Sequence, residues 1–274
     1  MKTVKIYSKN ADYQKFEVLK TNRNKRYRYF EFFVEGVRNI NEAMKNNWSF
    51  SSFIYTLDKP LSNWAGEILQ TVKTDVNYEL PESLMAELSG KTDTSELMAV
   101  IKMREDSFTR LPLTENPLYV LFDRPSNKGN LGTIIRSCDA MGADGLILTG
   151  HAVDLYDPDV VVSTMGSLFH TPAIRIPDNE QIFAWIAEMK QQYPGFQVVG
   201  TTAHKEKNIA DVDLRRPTLL MIGNETDGLC RAFKEGCDVL ATIPMNDDSS
   251  ASSLNVACAA TVLMYEAVRQ RMGV

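Results

Sequence analysis

Short, wholly apolar segments recur along the C-terminal half of the chain, and segments with helical periodicity separate them. Strands that are buried on both faces read as continuous apolar runs, which is typical of parallel sheets covered by helices. The alternation therefore predicts an α/β fold with a parallel sheet, whose ligands would bind beyond the carboxyl ends of the strands. The predicted strands are Leu118–Phe122, Gly145–Leu148, Ile174–Ile176, Phe196–Thr201, Leu219–Ile222 and Val239–Ile243, and the predicted helices are Asn130–Met141, Ile182–Gln191 and Leu254–Met272.

The first part of the chain predicts a smaller α/β domain. At 274 residues the chain is long enough for two domains that each bury a core. The stretch Arg110–Pro117 contains two prolines and no periodicity, which is typical of a linker. We predict an N-terminal domain over residues 1–111 and a C-terminal domain over residues 117–274. In the N-terminal domain the predicted strands are Phe32–Gly36, Phe50–Thr56 and Leu97–Lys102, and the predicted helices are Val37–Asn46, Trp64–Val72 and Pro81–Leu88.

Composition excludes several classes of protein. A net charge of -5 excludes a uniformly basic protein that coats nucleic acid. No apolar run approaches the roughly 18 residues that cross a bilayer. The N-terminus lacks the apolar core of a signal peptide, so we predict a cytoplasmic protein with no membrane partner. The four cysteines form no CxxC pair and the three histidines are scattered, so we predict no metal site.

Positive charge is concentrated in residues 1–30, which carry nine Lys and Arg residues against two acidic residues. Aromatic residues interleave with the cations at positions 26–30. Cations neutralise phosphates and aromatic rings stack on unpaired bases, so this segment suits an RNA-contacting arm. The alternative is a solvated basic helix whose tyrosines pack inward. The candidate RNA contacts are Lys20, Arg23, Lys25, Arg26 and Arg28.

The loop after the first C-terminal strand leads into a helix through Asn127–Arg136. Asn130 is a good N-cap residue, and such a cap leaves backbone N–H groups of the helix start available to an anion. Arg136, six residues later, is expected to project from the helix toward the same pocket. The run lacks the GxGxxG and GxxxxGK[ST] spacings of nucleotide and phosphate loops. The local alternative is a capped helix with a surface arginine.

Two further strand ends carry polar loops. One strand runs into Gly223, where a ligand can approach the backbone closely, and Glu225 is expected to begin a helical turn. The strand that ends at Ile243 is followed by a polar loop and by Ser253 at the start of the last helix. Serine and aspartate also have purely structural explanations here, as helix caps and solvated loop residues. Together the three loops offer backbone donors and acceptors to a nucleoside-like ligand, without a metal or a reactive cysteine.

In this order and near the chain end, these residues resemble the motifs of the SpoU (TrmH-like) branch of the SPOUT RNA methyltransferases. A stretch near the N-terminus is similar to the small substrate-binding domain that many members carry. The resemblance covers nearly the whole chain. The stretches that carry it are Asn130–Arg136 with Gly142-Ala-Asp, Ile222–Glu225 with Gly228-Leu229, Ile243–Met245 with Ser253–Asn255, Ser163–Phe169 with Pro172, and Phe32–Arg38.

The resemblance implies methyl transfer from S-adenosyl-L-methionine to a ribose 2′-hydroxyl of structured RNA, with S-adenosyl-L-homocysteine as product and no metal. The N-terminal domain favours ribosomal over transfer RNA. The family fold threads the C-terminal segment through a loop to make a deep trefoil knot, which is a rare exception to the usual topology rules. Members form homodimers through the C-terminal domain, and their active sites use residues of both subunits.

By motif position, the resemblance also implies roles for individual residues. Arg136 is the leading catalytic candidate, and because a guanidinium is a poor base it would orient the RNA phosphate and ribose. Two departures concern substrate geometry: Val162 stands where many members have an arginine, and Asp247-Asp248 would repel phosphates. The resemblance further implies that Asn130, Glu225, Ser253 and Asn255 position Arg136 and the ribose, that Gly200, Gly223, Ile243 and Leu254 line the cofactor, and that Arg38 contacts RNA.

There are two rival interpretations, of which the first belongs to another functional class. A catalytically silent RNA-binding or ribosome-assembly protein would keep the fold, but it would not be expected to retain Arg136, Glu225 and Asn255 together. A Rossmann-type methyltransferase would need a glycine-rich loop directly after the first strand, and Asp123-Arg-Pro-Ser does not supply one. An RNA 2′-O-methyltransferase is therefore the leading hypothesis.

Overall fold

The computed structural model describes residues 2–91, 93–204 and 206–273. In chain order, the elements are β1 (Lys2–Lys5), α1 (Ala11–Thr21), α2 (Arg23–Tyr29), β2 (Glu31–Glu35), α3 (Val37–Lys45), β3 (Phe50–Thr56), α4 (Asn63–Thr71), β4 (Val76–Leu80), α5 (Glu82–Ser89), β5 (Leu97–Lys102), β6 (Leu118–Phe122), α6 (Lys128–Ala140), β7 (Gly145–Thr149), α7 (Pro158–Ser163), α8 (Ser167–His170), β8 (Ala173–Ile176), α9 (Asn179–Gln192), β9 (Gln197–Thr201), β10 (Lys207–Asn208), β11 (Thr218–Ile222), α10 (Arg231–Gly236), β12 (Val239–Thr242) and α11 (Val256–Met272).

The chain divides into two compact units. Unit 1 comprises the residues up to Arg104 together with Asp154–His170, and unit 2 comprises Glu105–Val153 together with the residues from Thr171 onward. The segment Asp154–His170 thus lies with the N-terminal residues, whereas the predicted C-terminal domain, residues 117–274, included it.

Unit 1 is built on a five-stranded sheet in the order β1-β4-β3-β5-β2. β5 pairs antiparallel with β2 and β3, and the other neighbours pair in parallel. The basic N-terminal segment is folded onto this sheet and does not form an arm. α1 begins at the N-cap Asn10 and buries Tyr13, Phe16 and Leu19, which join the apolar core of unit 1. The cost of ordering the segment is offset by this burial.

Arg26 lies inside unit 1 and is only 2% exposed. Its Nε and Nη2 atoms each lie 2.7 Å from Oδ2 of Asp154, and its Nη1 donates to the carbonyl of Leu19 at 2.8 Å. The prediction that Arg26 contacts RNA is therefore wrong, because its guanidinium is enclosed and saturated by protein acceptors. Its partner Asp154 lies 128 residues away in the chain, so local sequence could not reveal the pair.

Aromatic contacts also fix the segment Asp154–His170 in unit 1. Nε1 of Trp48 donates to the carbonyl of Phe169 at 2.9 Å. The ring of Phe32 lies 4.7 Å from that of Tyr156 and 6.2 Å from that of Phe169, measured between centroids. The segment therefore completes the core on that side of the unit.

Unit 2 contains a seven-stranded sheet in the order β10-β12-β9-β11-β6-β7-β8. All of its neighbouring strands pair in parallel, which confirms the predicted parallel sheet. β6 and β11 are buried along their whole length. Because β12, β9 and β11 are neighbours, their carboxyl ends lie side by side.

The connections of unit 2 bring the last strand, β12, between β9 and β10, which are consecutive in the chain. The predicted trefoil knot stays a prediction. α11 follows β12 and packs on α6, where the hydroxyls of Ser137 and Thr261 lie 2.6 Å apart. Among the described residues, no helix combines the length and apolar character that crossing a bilayer requires.

Candidate functional site

A cavity of about 380 Å³ opens in unit 2 where β9, β11 and β12 end. Its volume falls within the roughly 300–1,000 Å³ of small-molecule sites. Of the residues predicted to line a cofactor, Gly223, Ile243 and Leu254 line this cavity. Gly200 does not line it, but Thr201, the next residue of β9, does.

Two glycines shape the wall of the cavity. A Cβ atom on Gly223 would lie 2.3 Å from both the carbonyl carbon of Gly228 and the nitrogen of Leu229, so no other residue fits without moving that backbone. A Cβ atom on Gly200 would lie 3.0 Å from Sγ of Cys237. A group does approach the backbone of Gly223 closely, as predicted. That group is the protein's own backbone at Gly228 and Leu229, whereas the prediction concerned a ligand.

The residues after β11 form a closed turn. The N–H of Asn224 donates to the carbonyl of Gly228 at 3.0 Å, and the reverse bond measures 3.1 Å. Oδ1 of Asn224 accepts from the N–H of Thr226 at 2.8 Å, and Gly228 has a left-handed φ of 69°. The expectation that Glu225 begins a helical turn is wrong, because this turn intervenes and α10 begins only at Arg231.

The carboxylate of Glu225 occupies the start of α6. It accepts from the N–H of Ser126 at 3.2 Å, from its hydroxyl at 2.7 Å and from the N–H of Asn127 at 3.2 Å. The N-cap is Asn127, not Asn130 as predicted, because Oδ1 of Asn127 accepts from the N–H of Asn130 at 2.9 Å. The expected anion site at this helix start is thus filled by Glu225.

The surroundings of Glu225 keep it ionised. Burial by itself raises the pKa of this carboxyl, but hydrogen bonds from Ser126 and Asn130 outweigh burial, so its pKa lies below the ordinary value. A carboxylate with this many donors is a poor proton acceptor near neutral pH. Its role here is structural: its hydrogen bonds join the turn after β11 to the start of α6.

Three of the predicted site residues form a continuous hydrogen-bonded chain. Nδ2 of Asn130 donates to Oε1 of Glu225 at 3.3 Å, and Nδ2 of Asn255 donates to Oδ1 of Asn130 at 3.2 Å. Oδ1 of Asn255 in turn accepts from the N–H groups of Ala257 and Cys258 and so caps α11. The structure therefore brings together one residue from each sequence motif. Ser253 lines the cavity beside this chain.

Arg136 is not brought into the lining of the cavity, contrary to the expectation that it projects toward the same pocket. It is exposed on α6 together with Thr133 and Ala140, opposite the buried face of the helix. Within the described part of the chain, no residue forms a hydrogen bond or ion pair with its guanidinium. Arg136 is therefore free to bind an external group.

Other polar residues of the cavity were not found by sequence reasoning. His204, Asp227 and Lys234 line it together with Thr202. His204 and Lys234 lie outside the recognisable motifs. Asp227 lies within the second motif stretch, between Glu225 and Gly228, but no role was predicted for it. Only the folded arrangement of loops brings the three together. Within residues 2–91, 93–204 and 206–273, no three His, Cys, Asp or Glu side chains gather as a metal site would require.

Some of the predicted RNA contacts keep accessible surface in unit 1. The side chains that do so are Arg23, Lys25, Arg28 and Arg38. Beside them, the residues Tyr29 and Phe30 are 42% and 41% exposed. Lys20 is instead directed into the protein, where its amine donates to the carbonyls of Leu88 and Ser89, and burial lowers its pKa. Lys20 is thus occupied in holding the end of α5.

Two family models match this chain. The model described as SpoU rRNA Methylase family matches residues 117–265, and the model described as SpoU L30e-like domain matches residues 10–99. Together they cover most of both units.

Full-length relatives are similar to this chain. It is 46% identical to a 23S rRNA (uridine(2479)-2′-O)-methyltransferase of Streptomyces viridochromogenes, over 98% of this chain and 93% of that protein. It is 26% identical to the 23S rRNA (guanosine(2553)-2′-O)-methyltransferase RlmP of Bacillus subtilis, over 94% of this chain and 96% of that protein.

Solved structures have the same fold. The crystal structure of the SpoU methyltransferase AviRb from Streptomyces viridochromogenes, in complex with the cofactor AdoMet, gives a TM-score of 0.91 at 45% identity, over 96% of this chain and 99% of that one. The AdoMet-bound rRNA methyltransferase from Sinorhizobium meliloti gives 0.83 at 28% identity, over 97% and 98%. The predicted fold class, a parallel-sheet domain with a smaller N-terminal α/β domain, is confirmed.

Proposed function

The chain belongs to the SpoU rRNA methylase family, and we propose that it transfers a methyl group from S-adenosyl-L-methionine to a ribose 2′-hydroxyl of 23S rRNA. The observation that carries the proposal is the hydrogen-bonded chain of Glu225, Asn130 and Asn255 at the cavity beyond β9, β11 and β12. Uridine is the proposed nucleoside, since the relative at 46% identity is named for uridine. A catalytically silent RNA-binding protein is not supported, because every residue of this hydrogen-bonded chain is present and in contact with the next.

The cavity fits the methyl donor. Its walls combine apolar side chains, including Leu229, Ile243 and Leu254, with backbone groups around Gly223, and such a lining suits an adenosine. These residues would hold the cofactor, with Gly200 supporting the wall behind it. When bound, S-adenosyl-L-methionine supplies a methyl group already activated on a sulfonium, so the protein must chiefly align the attacking oxygen.

Arg136 is the proposed catalytic contact to RNA. A guanidinium carries a delocalised positive charge and offers a fork of donors that matches phosphate oxygens. Arg136 would therefore bind the RNA phosphate and ribose and hold the 2′-hydroxyl toward the cavity. Asn130, Glu225, Ser253 and Asn255 would keep the surrounding loops in place.

A homodimer through unit 2 is part of the proposal. Because Arg136 lies outside its own cavity lining, it would serve the cavity of a second protomer. The neighbouring face of α11 exposes Cys258, Val262 and Tyr265, with Val262 41% and Tyr265 55% exposed. An apolar face beside a functional arginine supports pairing at α6 and α11. The trefoil knot is proposed as well, supported by the insertion of β12 between β9 and β10.

Unit 1 is proposed to bind the RNA substrate. Arg23, Lys25, Arg28 and Arg38 would contact phosphates, and the exposed rings of Tyr29 and Phe30 would stack on unpaired bases. Phe30 has a left-handed φ of 56°, which a bulky residue rarely adopts, so its exposed ring is held at a conformational cost. A ribosomal substrate implies the cytoplasm as the place of action.

A labelling experiment tests the proposed function. The protein is incubated with S-adenosyl-L-methionine carrying a labelled methyl group and with 23S rRNA from cells that lack the gene. We expect label in the RNA at one ribose, resistant to alkaline cleavage on its 3′ side. A preparation that binds the rRNA but transfers no label would instead support the silent RNA-binding protein.

A further inference from the structure

Arg124 lies outside the cavity lining but holds the turn that forms part of it, and we propose that Arg124 is a positioning residue for the methyl donor. This inference rests on the proposed function, because S-adenosyl-L-methionine is the ligand of the cavity only if that proposal holds. The dipeptide Asp123-Arg124, directly after β6, is hydrogen-bonded to the segment Gly223–Cys230 in a way that supports this role.

Three hydrogen bonds join this dipeptide to the segment. Nδ2 of Asn224 donates to the carbonyl of Arg124 at 2.7 Å, and Nη2 of Arg124 donates to the carbonyl of Gly228 at 3.0 Å. The N–H of Cys230 donates to Oδ2 of Asp123 at 2.8 Å. Arg124 thus bonds the first and last residues of the closed turn, whose residues line the cavity.

Asp123 anchors the arginine. It is 1% exposed, and its Oδ1 accepts from the hydroxyl of Thr149 at 2.7 Å. Its Oδ2 accepts from Nε and Nη2 of Arg124, both at 3.1 Å. A buried carboxylate needs such partners. The guanidinium fork satisfies it and also reaches Gly228, which the single ammonium of a lysine cannot do in the same geometry.

The backbone of Arg124 is strained in a way that serves this arrangement. Its φ is 50°, in the left-handed region that favours glycine. A glycine there would relieve the strain but would lose the guanidinium, and strain of this kind collects at functional sites. The stem of the side chain passes Gly150, where a Cβ atom would lie 2.8 Å from Cγ of Arg124. Gly150 therefore leaves the space that the arginine occupies.

The first test compares Arg124→Met, Arg124→Lys and the wild-type protein by calorimetric titration with S-adenosyl-L-methionine. Loss of the charge-assisted bonds is expected to weaken cofactor binding about tenfold in Arg124→Met, with an intermediate loss in Arg124→Lys. The affinity for rRNA should not change. The matched control is Arg215→Met, since Arg215 pairs with Asp213 at 2.7 Å on the exposed surface of the same unit; this variant should bind the cofactor like the wild type.

The second test separates positioning from a loss of folding. Gly150→Ala is expected to displace the arginine stem and weaken cofactor binding. In the background of Arg124→Ala, which has no Cγ, the same change should weaken it much less. Because Gly150 has a left-handed φ of 56°, the alanine should lower the melting temperature in both backgrounds, and the deciding quantity is the coupling in the cofactor Kd. A purely structural role for Gly150 would weaken cofactor binding equally in both backgrounds.

These experiments distinguish failure of the role of Arg124 from failure of the proposed function. If the wild-type protein does not bind S-adenosyl-L-methionine, the proposed function fails. If it binds and methylates, but Arg124→Met binds equally well or Gly150→Ala acts equally in both backgrounds, only the role of Arg124 is overturned.

Discussion

Asn255 donates a hydrogen bond from Nδ2 to Oδ1 of Asn130, 3.2 Å away and 125 residues earlier in the chain. Because an asparagine side chain both donates and accepts, Asn130 can receive this bond and still donate to Glu225. The bond therefore links the start of α11, which Asn255 caps, to the start of α6 and to the turn after β11. A substitution at any of these three residues is therefore expected to alter cofactor binding in the cavity.

Asn130→Asp tests this link directly. The change replaces the Nδ2 donor by an oxygen that faces Oε1 of Glu225 across 3.3 Å, so two carboxylates would repel each other. We expect the free energy of unfolding to fall by about 1–3 kcal/mol and cofactor binding to weaken, as measured by urea denaturation and calorimetry at neutral pH. Asn10→Asp is the control, since aspartate caps α1 as well as asparagine does. Unchanged stability of Asn130→Asp would disprove the coupling.

Arg136→Ala is expected to lower kcat about a hundredfold or more, since it removes the charged donor that is proposed to contact the reacting RNA. The Kd of S-adenosyl-L-methionine should not change, because Arg136 does not line the cavity. Steady-state methylation and calorimetry measure the two quantities. Arg231→Ala, which removes an exposed arginine paired with Glu235, should leave both unchanged. Equal turnover of Arg136→Ala and the wild type would reject the catalytic assignment.

Glu225 is expected to make stability depend on pH in the acid range. Its pKa in the folded protein lies below the ordinary value of 4.5, so its contribution is fully present above about 4.5 and is lost as the pH falls through the lower folded value. The difference in unfolding free energy between the wild type and Glu225→Gln should therefore shrink with acidification. Parallel stability curves for the two proteins over this range would contradict the assignment.

Arg26→Met is expected to destabilise the protein strongly. The change leaves Asp154 buried without its guanidinium, and breaking a buried ion pair costs about 3–5 kcal/mol. Because an asparagine carries no charge, adding Asp154→Asn should recover part of the loss. Urea denaturation of both variants measures this, with Arg28→Met as the control, since Arg28 is exposed. A cost for Arg26→Met no larger than that control would show that the pair does not hold the segment Asp154–His170.

Gly223→Ala is expected to abolish cofactor binding, because its Cβ would lie 2.3 Å from the backbone of Gly228 and Leu229. Gly66→Ala is the opposite case, since nothing lies within 4 Å of a Cβ atom there. Gly66 lies in α4, and the free energy of unfolding should rise by about 0.5–1 kcal/mol because alanine favours the helix more than glycine does. Melting temperatures and calorimetric titrations distinguish the two. Retained affinity in Gly223→Ala would indicate that the turn moves aside at little cost.

The sheet of unit 2 was predictable because its strands are buried on both faces. Leu118–Phe122 was predicted with the bounds of β6, and β11 begins only one residue before its predicted start. In unit 1, by contrast, β1 and β4 were missed. β1 is short and mostly exposed, and its strand structure depends on pairing with a segment more than 70 residues away, which no local pattern reports.

The site was predictable as a set of residue types but not as a set of contacts. Placing the cap at Asn130 rather than Asn127 hid the fact that the Asn130 side chain is free to join Glu225 and Asn255. Arg26 and Arg28 look equivalent in the sequence, yet one is enclosed with Asp154 and the other is exposed. Such distinctions depend on partners distant in the chain.

The return of Asp154–His170 to unit 1 limits how this protein can be recombined. A fragment cut after residue 111 would lose the rings of Tyr156 and Phe169 and would leave Arg26 without its partner Asp154. A chimera that takes unit 1 from another member of the family must transplant both stretches of sequence together, so unit 1 cannot be exchanged as one continuous cassette.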